Sequence, residues 1–276
     1  VLFRSVKFRF PLQSQDTLSI IEYFYAICNV SGWFFKSRKR KYYLLHKFKR
    51  LILYIFVHSY EKGMVVMATI ALFSGQGSQY EKMGLDLVQQ DAALEEIFEV
   101  ASEVLGFDLY AVIADSDAQT LAHTIYAQPA IMATSLVCLE AAKKRGFTYD
   151  AVAGHSLGEY AAMVAAGMLS LEDGFKVIKA RSEAMDAAAK AADGAMCAIL
   201  KLAPAEVERI CSETEGYVIP ANYNSSVQTV IAGDRDAVEK AAAACAALKA
   251  RAVPLAVASA FHTKLMQPAA DTFYKA

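Results

Sequence analysis

This chain is poor in the features that mark several classes of function. Its five cysteines, Cys28, Cys138, Cys197, Cys211 and Cys245, show no C-x-x-C spacing, so reduced, structural thiols are expected, as fits a cytoplasmic protein. No group of His, Cys and carboxylate residues has metal-ligand spacing, and no metal is implied. Neither of the two apolar runs near the start is a clean membrane span. The first is broken by Glu22, Asn29 and Gly32, and the second, Leu51 to Val57, is about half the ~20 residues that a helix needs to cross a bilayer. The order of charged start, apolar stretch and small-residue cleavage site that makes a secretory signal is missing. No internal repeat or low-complexity linker stands out, and the alanine-rich run 241–247 reads as a tightly packed helix.

Net charge is nearly absent too, at −1, but the average conceals a break. Residues 1–63 carry 12 Lys and Arg against 3 Asp and Glu and hold half of the aromatic residues, whereas residues 64–276 are acidic by the same count. The leader runs through Tyr23, Phe24, Tyr25 and Trp33, Phe34, Phe35 into a basic block, Lys36 to Lys41. Glu61, Lys62 and Gly63 have purine-rich codons, as a bacterial ribosome-binding site would, and Met64 and Met67 precede the first well-patterned strand. Residues 1–66 are therefore expected to be upstream sequence translated in frame. On that expectation the basic block says nothing about partners, no stable membrane association is implied, and nucleic-acid binding has no other support.

From Ala68 the pattern is that of an α/β protein. Thr69 to Phe73 reads as a buried strand, Ser74 to Gln79 as a glycine-rich turn, and Glu81 to Gln90, Ala92 to Leu105 and Gln128 to Arg145 as helices. Tyr149 to Ala153 is strand-like and Glu159 to Gly167 helix-like, so the Gly154, His155, Ser156, Leu157, Gly158 run between them reads as a nucleophile elbow. Its glycines have mechanical reasons, since a side chain on either flank would collide with the neighbouring strand or the first helical turn. Free amides and the positive dipole end at the helix start can hold an oxyanion beside an exposed serine. The same pattern would also suit a serine that only caps a buried turn. Leu171 to Lys190 is the next helix, with Ser170 as its cap.

Ala195 to Leu200, Pro204 to Glu213, Tyr217 to Ala221, Gln228 to Ala232, Asp234 to Lys249 and Arg251 to Val257 then follow the order βαββαβ, a ferredoxin-like split unit. The expected fold class is α/β: a large α/β-hydrolase-like part, 67–193, a ferredoxin-like insertion, 194–258, and a return to the large part at 259–276.

A serine hydroxyl needs a base. Among the five histidines, His46 and His58 fall in the leader, and His123 lies in a loop-like stretch without other chemical signals. His155 should point away from the serine and support the turn. His262, just after the last strand of the insertion, is the best candidate.

Taken together, GQGSQ at 75–79, GHSLGEY at 154–160, Arg181, the N-x-N-S turn at 222–225 with VIAG at 230–233, and AFHT at 260–263 make the chain from Ala68 onward similar to the malonyl-CoA:acyl carrier protein transacylase family. The resemblance implies that Ser156 takes the malonyl group from malonyl-CoA as an ester and that His262 is base and then acid. It also implies an oxyanion hole at the Gln76 and Leu157 amides, Arg181 on the malonyl carboxylate and Asn222 as a substrate contact. Holo acyl carrier protein is the implied acceptor, for fatty acid or polyketide synthesis, with no bound cofactor and a monomeric chain. A planar guanidinium presents two parallel donors to a carboxylate, and an acetyl thioester would leave it buried without a partner. Ser74 stands where the family has proline, and Ser226 and Val227 where it has proline and glycine. The chain stops at Ala276 where the family continues for several tens of residues, so a C-terminal truncation is expected. A serine hydrolase or thioesterase, and a catalytically silent carrier-binding module, stay open as alternatives.

Overall fold

A run of apolar residues without alternation, as at the end of Thr69–Phe73, asks for a strand covered on both faces, and Ala71, Leu72 and Phe73 are all buried. In this computed structural model, which describes residues 52–61, 64–255, 257 and 259–276, these residues end the central strand of a three-stranded sheet ordered β1-β2-β3. Strand β1, Ile52–Glu61, pairs antiparallel with β2, Met64–Phe73, from Ile52↔Phe73 to Glu61↔Met64. Strand β3, Ala151–Gly154, joins β2 in parallel from Ile70↔Ala151 to Phe73↔Gly154.

The central strand thus starts earlier than its pattern predicts, and the last stretch of the leader adds an edge strand. Its β-branched and aromatic sequence, ILYIFVHSYE, suits that state. The aromatic clusters and basic block of the leader lie outside the described residues.

A parallel pair needs a long crossover. Here the crossover is a set of helices, Leu85–Gln90, Glu96–Leu105, Leu109–Asp115, Ala118–Leu121 and Thr124–Lys143. The last has 16 of its 20 residues buried, so it runs through the core instead of lying on it with one apolar face. By length and composition it would also suit a membrane span, but 83% of that window is buried inside the protein. Ser102 and Asp108 secure the bend between the second and third helices: Ser102 Oγ accepts from Leu109 N at 2.9 Å and Asp108 caps Ala111 N at 2.9 Å.

The described residues divide into two compact units between Glu183 and Ala184, inside the helix Leu171–Ala191. Ser170 caps that helix as its sequence suggests: its Oγ accepts from Asp173 N at 3.0 Å and donates to Asp173 Oδ2 at 2.7 Å. The second unit carries β4, Gly194–Leu200, helix Pro204–Glu213, β5, Val218–Ser225, β6, Gln228–Asp234, helix Arg235–Ala247 and β7, Arg251–Pro254. Its sheet is antiparallel with order β5-β6-β4-β7, the arrangement of a ferredoxin-like unit. Period-two alternation sends Cys197, Ile199 and Ile231 to the helix side. Met196, Ala198, Val230 and Ala232 go to the other side, against Ala184, Ala188, Phe261, Met266 and Ala269.

Candidate active site

The elbow is built by close backbone approach. β3 ends at Gly154, the His155 amide donates to Phe73 O at 2.9 Å, and the chain turns at once into the helix Gly158–Ala165. A Cβ on Gly154 would lie 2.1 Å from the Gly158 carbonyl carbon, and one on Gly158 would lie 2.2 Å from Phe73 O. Both contacts are with backbone, which cannot swing aside. Tyr149 Oη fixes the far end of the unit by donating to Ala165 O at 2.6 Å, and Asp150 Oδ2 accepts from Thr69 N at 2.7 Å.

Ser156 sits at the tip with φ at 52°, in the left-handed region that a residue with a Cβ rarely occupies. Such strain persists only where the surroundings impose it, and it is characteristic of functional positions. Leu157, nearly fully buried, stands at the head of the helix, where main-chain amides lack intrahelical acceptors.

The GQGSQ turn packs against this elbow. A Cβ on Gly75 would lie 2.5 Å from His155 O and 2.9 Å from its Nδ1. Ser78 Oγ donates to Gly75 O at 2.7 Å, and Ser74 Oγ lies 3.1 Å from Ser78 Oγ, so a hydroxyl pair braces the turn. Gln76 Nε2 donates to Thr124 Oγ1 at 3.2 Å, tying the turn to the start of the long core helix. His155 packs against the glycine turn at Gly75. Its Nε2 is buried, and desolvation pushes the ring pKa down to about 4, so it is neutral at pH 7.

Arg181 comes to the serine from the helix Leu171–Ala191. Its Nη2 lies 3.4 Å from Ser156 Oγ, its Nη1 donates to Gln128 Oε1 at 2.5 Å, and its guanidinium carbon sits 5.4 Å from the centre of the Tyr160 ring. Burial lowers the Arg181 pKa, an effect that Tyr160 and Glu159 oppose. Burial also raises the Glu159 carboxyl, against the pull of Arg181, and raises the Tyr160 phenol. Among the described residues Arg181 forms no ion pair. A cation has been placed next to the hydroxyl with neutral partners around it, and a carboxylate entering there would find a charge to meet.

Of the residues singled out by sequence, Ser156, Leu157, Gln76 and Arg181 belong to this first unit. His262 and Asn222 belong to the second. His262 also holds a positive φ, 61°, and follows Ser259 and Ala260, which are fully buried. Thr263 secures its turn by donating to Ala260 O at 2.7 Å and accepting from Leu265 N at 3.2 Å. Asn222 is 7% exposed on β5, beside a register shift after Pro220, and its Nδ2 is buried without a hydrogen-bond partner in the protein. Sequence reasoning missed Gln128. Its one signal was a polar residue before Pro129 in an otherwise apolar stretch, and it is fully buried.

The acyl transferase domain family matches residues 71–276. The malonyl CoA-acyl carrier protein transacylase of Bacillus subtilis (strain 168) is 42% identical over 210 residues, 74% of this chain and 66% of that protein. The protein of the same name from Escherichia coli (strain K12) is 42% identical over 204 residues, 72% of this chain and 66% of that one. Among solved structures, a malonyl-transacylase in complex with its type II PKS acyl-carrier protein superimposes with TM-score 0.70 at 39% identity, over 74% of this chain and 67% of that one. An acyl carrier protein S-malonyltransferase from Vibrio cholerae gives 0.69 at 41%, over 75% of this chain and 68% of that one. The chain thus spans 66% of the length of these two curated relatives.

Proposed function

The chain belongs to the acyl transferase domain family, and from that membership and the elbow geometry we propose that it moves a malonyl group from malonyl-CoA to the phosphopantetheine thiol of acyl carrier protein. Ser156 Oγ attacks the thioester carbonyl while its proton passes to a base, and His262 takes that role. The C–S bond breaks, coenzyme A leaves as a thiol with that proton, and malonate remains esterified to Ser156. The carrier thiol then passes its proton to His262 and attacks the ester, the bond between the acyl carbon and Oγ breaks, and Oγ takes the proton back from His262. Amides of Leu157 and Gln76 carry the negative charge on the carbonyl oxygen between these steps. Asn222 contacts the substrate, and the chain works as a monomer in the cytoplasm, in fatty acid or polyketide synthesis, with no bound cofactor.

One observation carries this reading: a strained serine at a strand-to-helix elbow has a half-buried guanidinium 3.4 Å from its Oγ and held by neutral partners. That placement suits an acyl group with a free carboxylate. The names of its relatives agree, since the Bacillus subtilis and Escherichia coli proteins are both malonyl transacylases of acyl carrier protein.

Intact-protein mass spectrometry after addition of malonyl-CoA tests it. A malonyl adduct on Ser156 that moves to holo carrier protein is the expected result. Free malonate without a labelled carrier would point to a hydrolase, and no adduct at all to a silent binding module.

A further inference from the structure

We propose that Gln128 is a positioning residue that sets acyl-group selectivity, because it fixes Arg181 beside Ser156 without cancelling its charge; this rests on the transferase reading above. Gln128 is fully buried in the helix Thr124–Lys143, whose packing on all sides leaves its side chain little freedom. Its Oε1 accepts from Arg181 Nη1, while Nη2 faces Ser156 Oγ and the Tyr160 ring lies against the guanidinium. All three contacts are with formally neutral groups. Glu159 influences Arg181 only at longer range, and among the described residues no carboxylate lies within ion-pair distance of the guanidinium.

A carboxamide and a carboxylate have nearly the same shape. Glutamate at 128 could hold the guanidinium in the same place, but it would supply inside the protein the negative charge that a malonyl group otherwise brings. A buried pair of that kind would repel a second carboxylate and remove the penalty for an acyl group without one. The neutral amide therefore keeps the cation both placed and unsatisfied. Selectivity for a carboxylated acyl chain then depends on the residue behind the arginine as much as on the arginine itself.

The test compares the full chain with Gln128→Glu and Gln128→Met. It measures rates of Ser156 acylation by malonyl-CoA and acetyl-CoA, and calorimetric binding of free malonate and acetate. In Gln128→Glu the malonyl-to-acetyl ratio of kcat/KM is expected to fall by roughly 30-fold or more, through the KM for malonyl-CoA, with the preference for malonate over acetate lost in parallel. In Gln128→Met, which fills the volume without an acceptor, malonate binding should weaken by roughly 10-fold, with the acetyl rate falling less. An unchanged ratio in folded Gln128→Glu, or equal losses for both acyl groups in both variants, would overturn the proposal and leave Gln128 a packing residue. Should Gln128→Glu not fold, Gln128→Met decides alone. If the wild-type chain binds malonate in preference to acetate yet Ser156 is never acylated, the transferase reading fails while the binding measurements still judge Gln128.

Discussion

At Ser156 and its flanks, a few contacts decide what each side chain can be. Gly158→Ala would drive a methyl group into Phe73 O, a backbone atom that can yield only if the sheet moves. A cost of about 3 kcal/mol is expected, hence a melting temperature lower by roughly 6–12 °C, readable by calorimetry. Arg181→Ala removes the charge beside Oγ, so malonyl use should fall by roughly 30- to 1000-fold and the gap to acetyl-CoA should narrow. An unchanged preference would show that Arg181 has another task. His155 gives a pH signature. Its folded pKa is depressed to about 4 from an ordinary value of 6.5, so below pH 6.5 the unfolded chain binds a proton that the folded one refuses. Stability is therefore lost as pH falls from 6.5 toward 4, by about 2 kcal/mol between pH 7 and 5, and His155→Gln should flatten that slope in urea melts. The elbow itself was legible because its glycines and serine are contiguous and each has a steric reason. Gln128 and the neutral ring of partners around Arg181 were not, because they converge from helices far apart in sequence, and no local pattern encodes a meeting of that kind.

The elements show the same division between what is local and what is not. Ser170 could be read as a cap because a hydroxyl three residues before an acid is a local signature, and its Oγ both accepts from the Asp173 amide and donates to the Asp173 carboxylate. Ser170→Ala should cost about 1 kcal/mol of stability and loosen the first turn, visible as faster amide exchange at Asp173. Strands β4 to β7 and their helices were likewise readable, since alternation and turn residues mark each one, but β5 runs on through Asn222 to Ser225, where a turn was expected. The helix Thr124–Lys143 starts four residues before its pattern predicts, and nearly every side of it is buried. A helix buried all round has no polar stripe to report its phase, and Pro129 near its start disguises the first turn. Strand β2 outruns its pattern for a related reason. Its first five residues find their partners in β1, Glu61↔Met64 through Val57↔Ala68, in a segment whose composition pointed elsewhere.

For the whole molecule, the question is which pieces of chain make a unit. The βαββαβ segment 194–255 has one core of its own, where Cys197, Ile199, Val207, Ile210, Val218 and Val238 close between sheet and helices. The opposite face of the same sheet is also apolar, and it is covered by Ala184 and Ala188 from the end of one helix and by Phe261, Met266 and Ala269 from the chain after β7. A segment of about 60 residues is marginal even with its core complete, and here one of the two apolar faces of its sheet would meet water if the cover were cut away. Motif order in the sequence marks the strands and helices of this unit, but it says nothing about what covers the second face, because that cover is supplied by residues on both sides of the motif. The expectation is that residues 184–276 expressed alone melt cooperatively with little binding of a hydrophobic dye. Residues 194–255 alone should bind the dye strongly and show a broad transition. A sharp, dye-free melt of the shorter piece would mean that the helical core suffices, and that Phe261 and Met266 contribute packing which this sheet can do without.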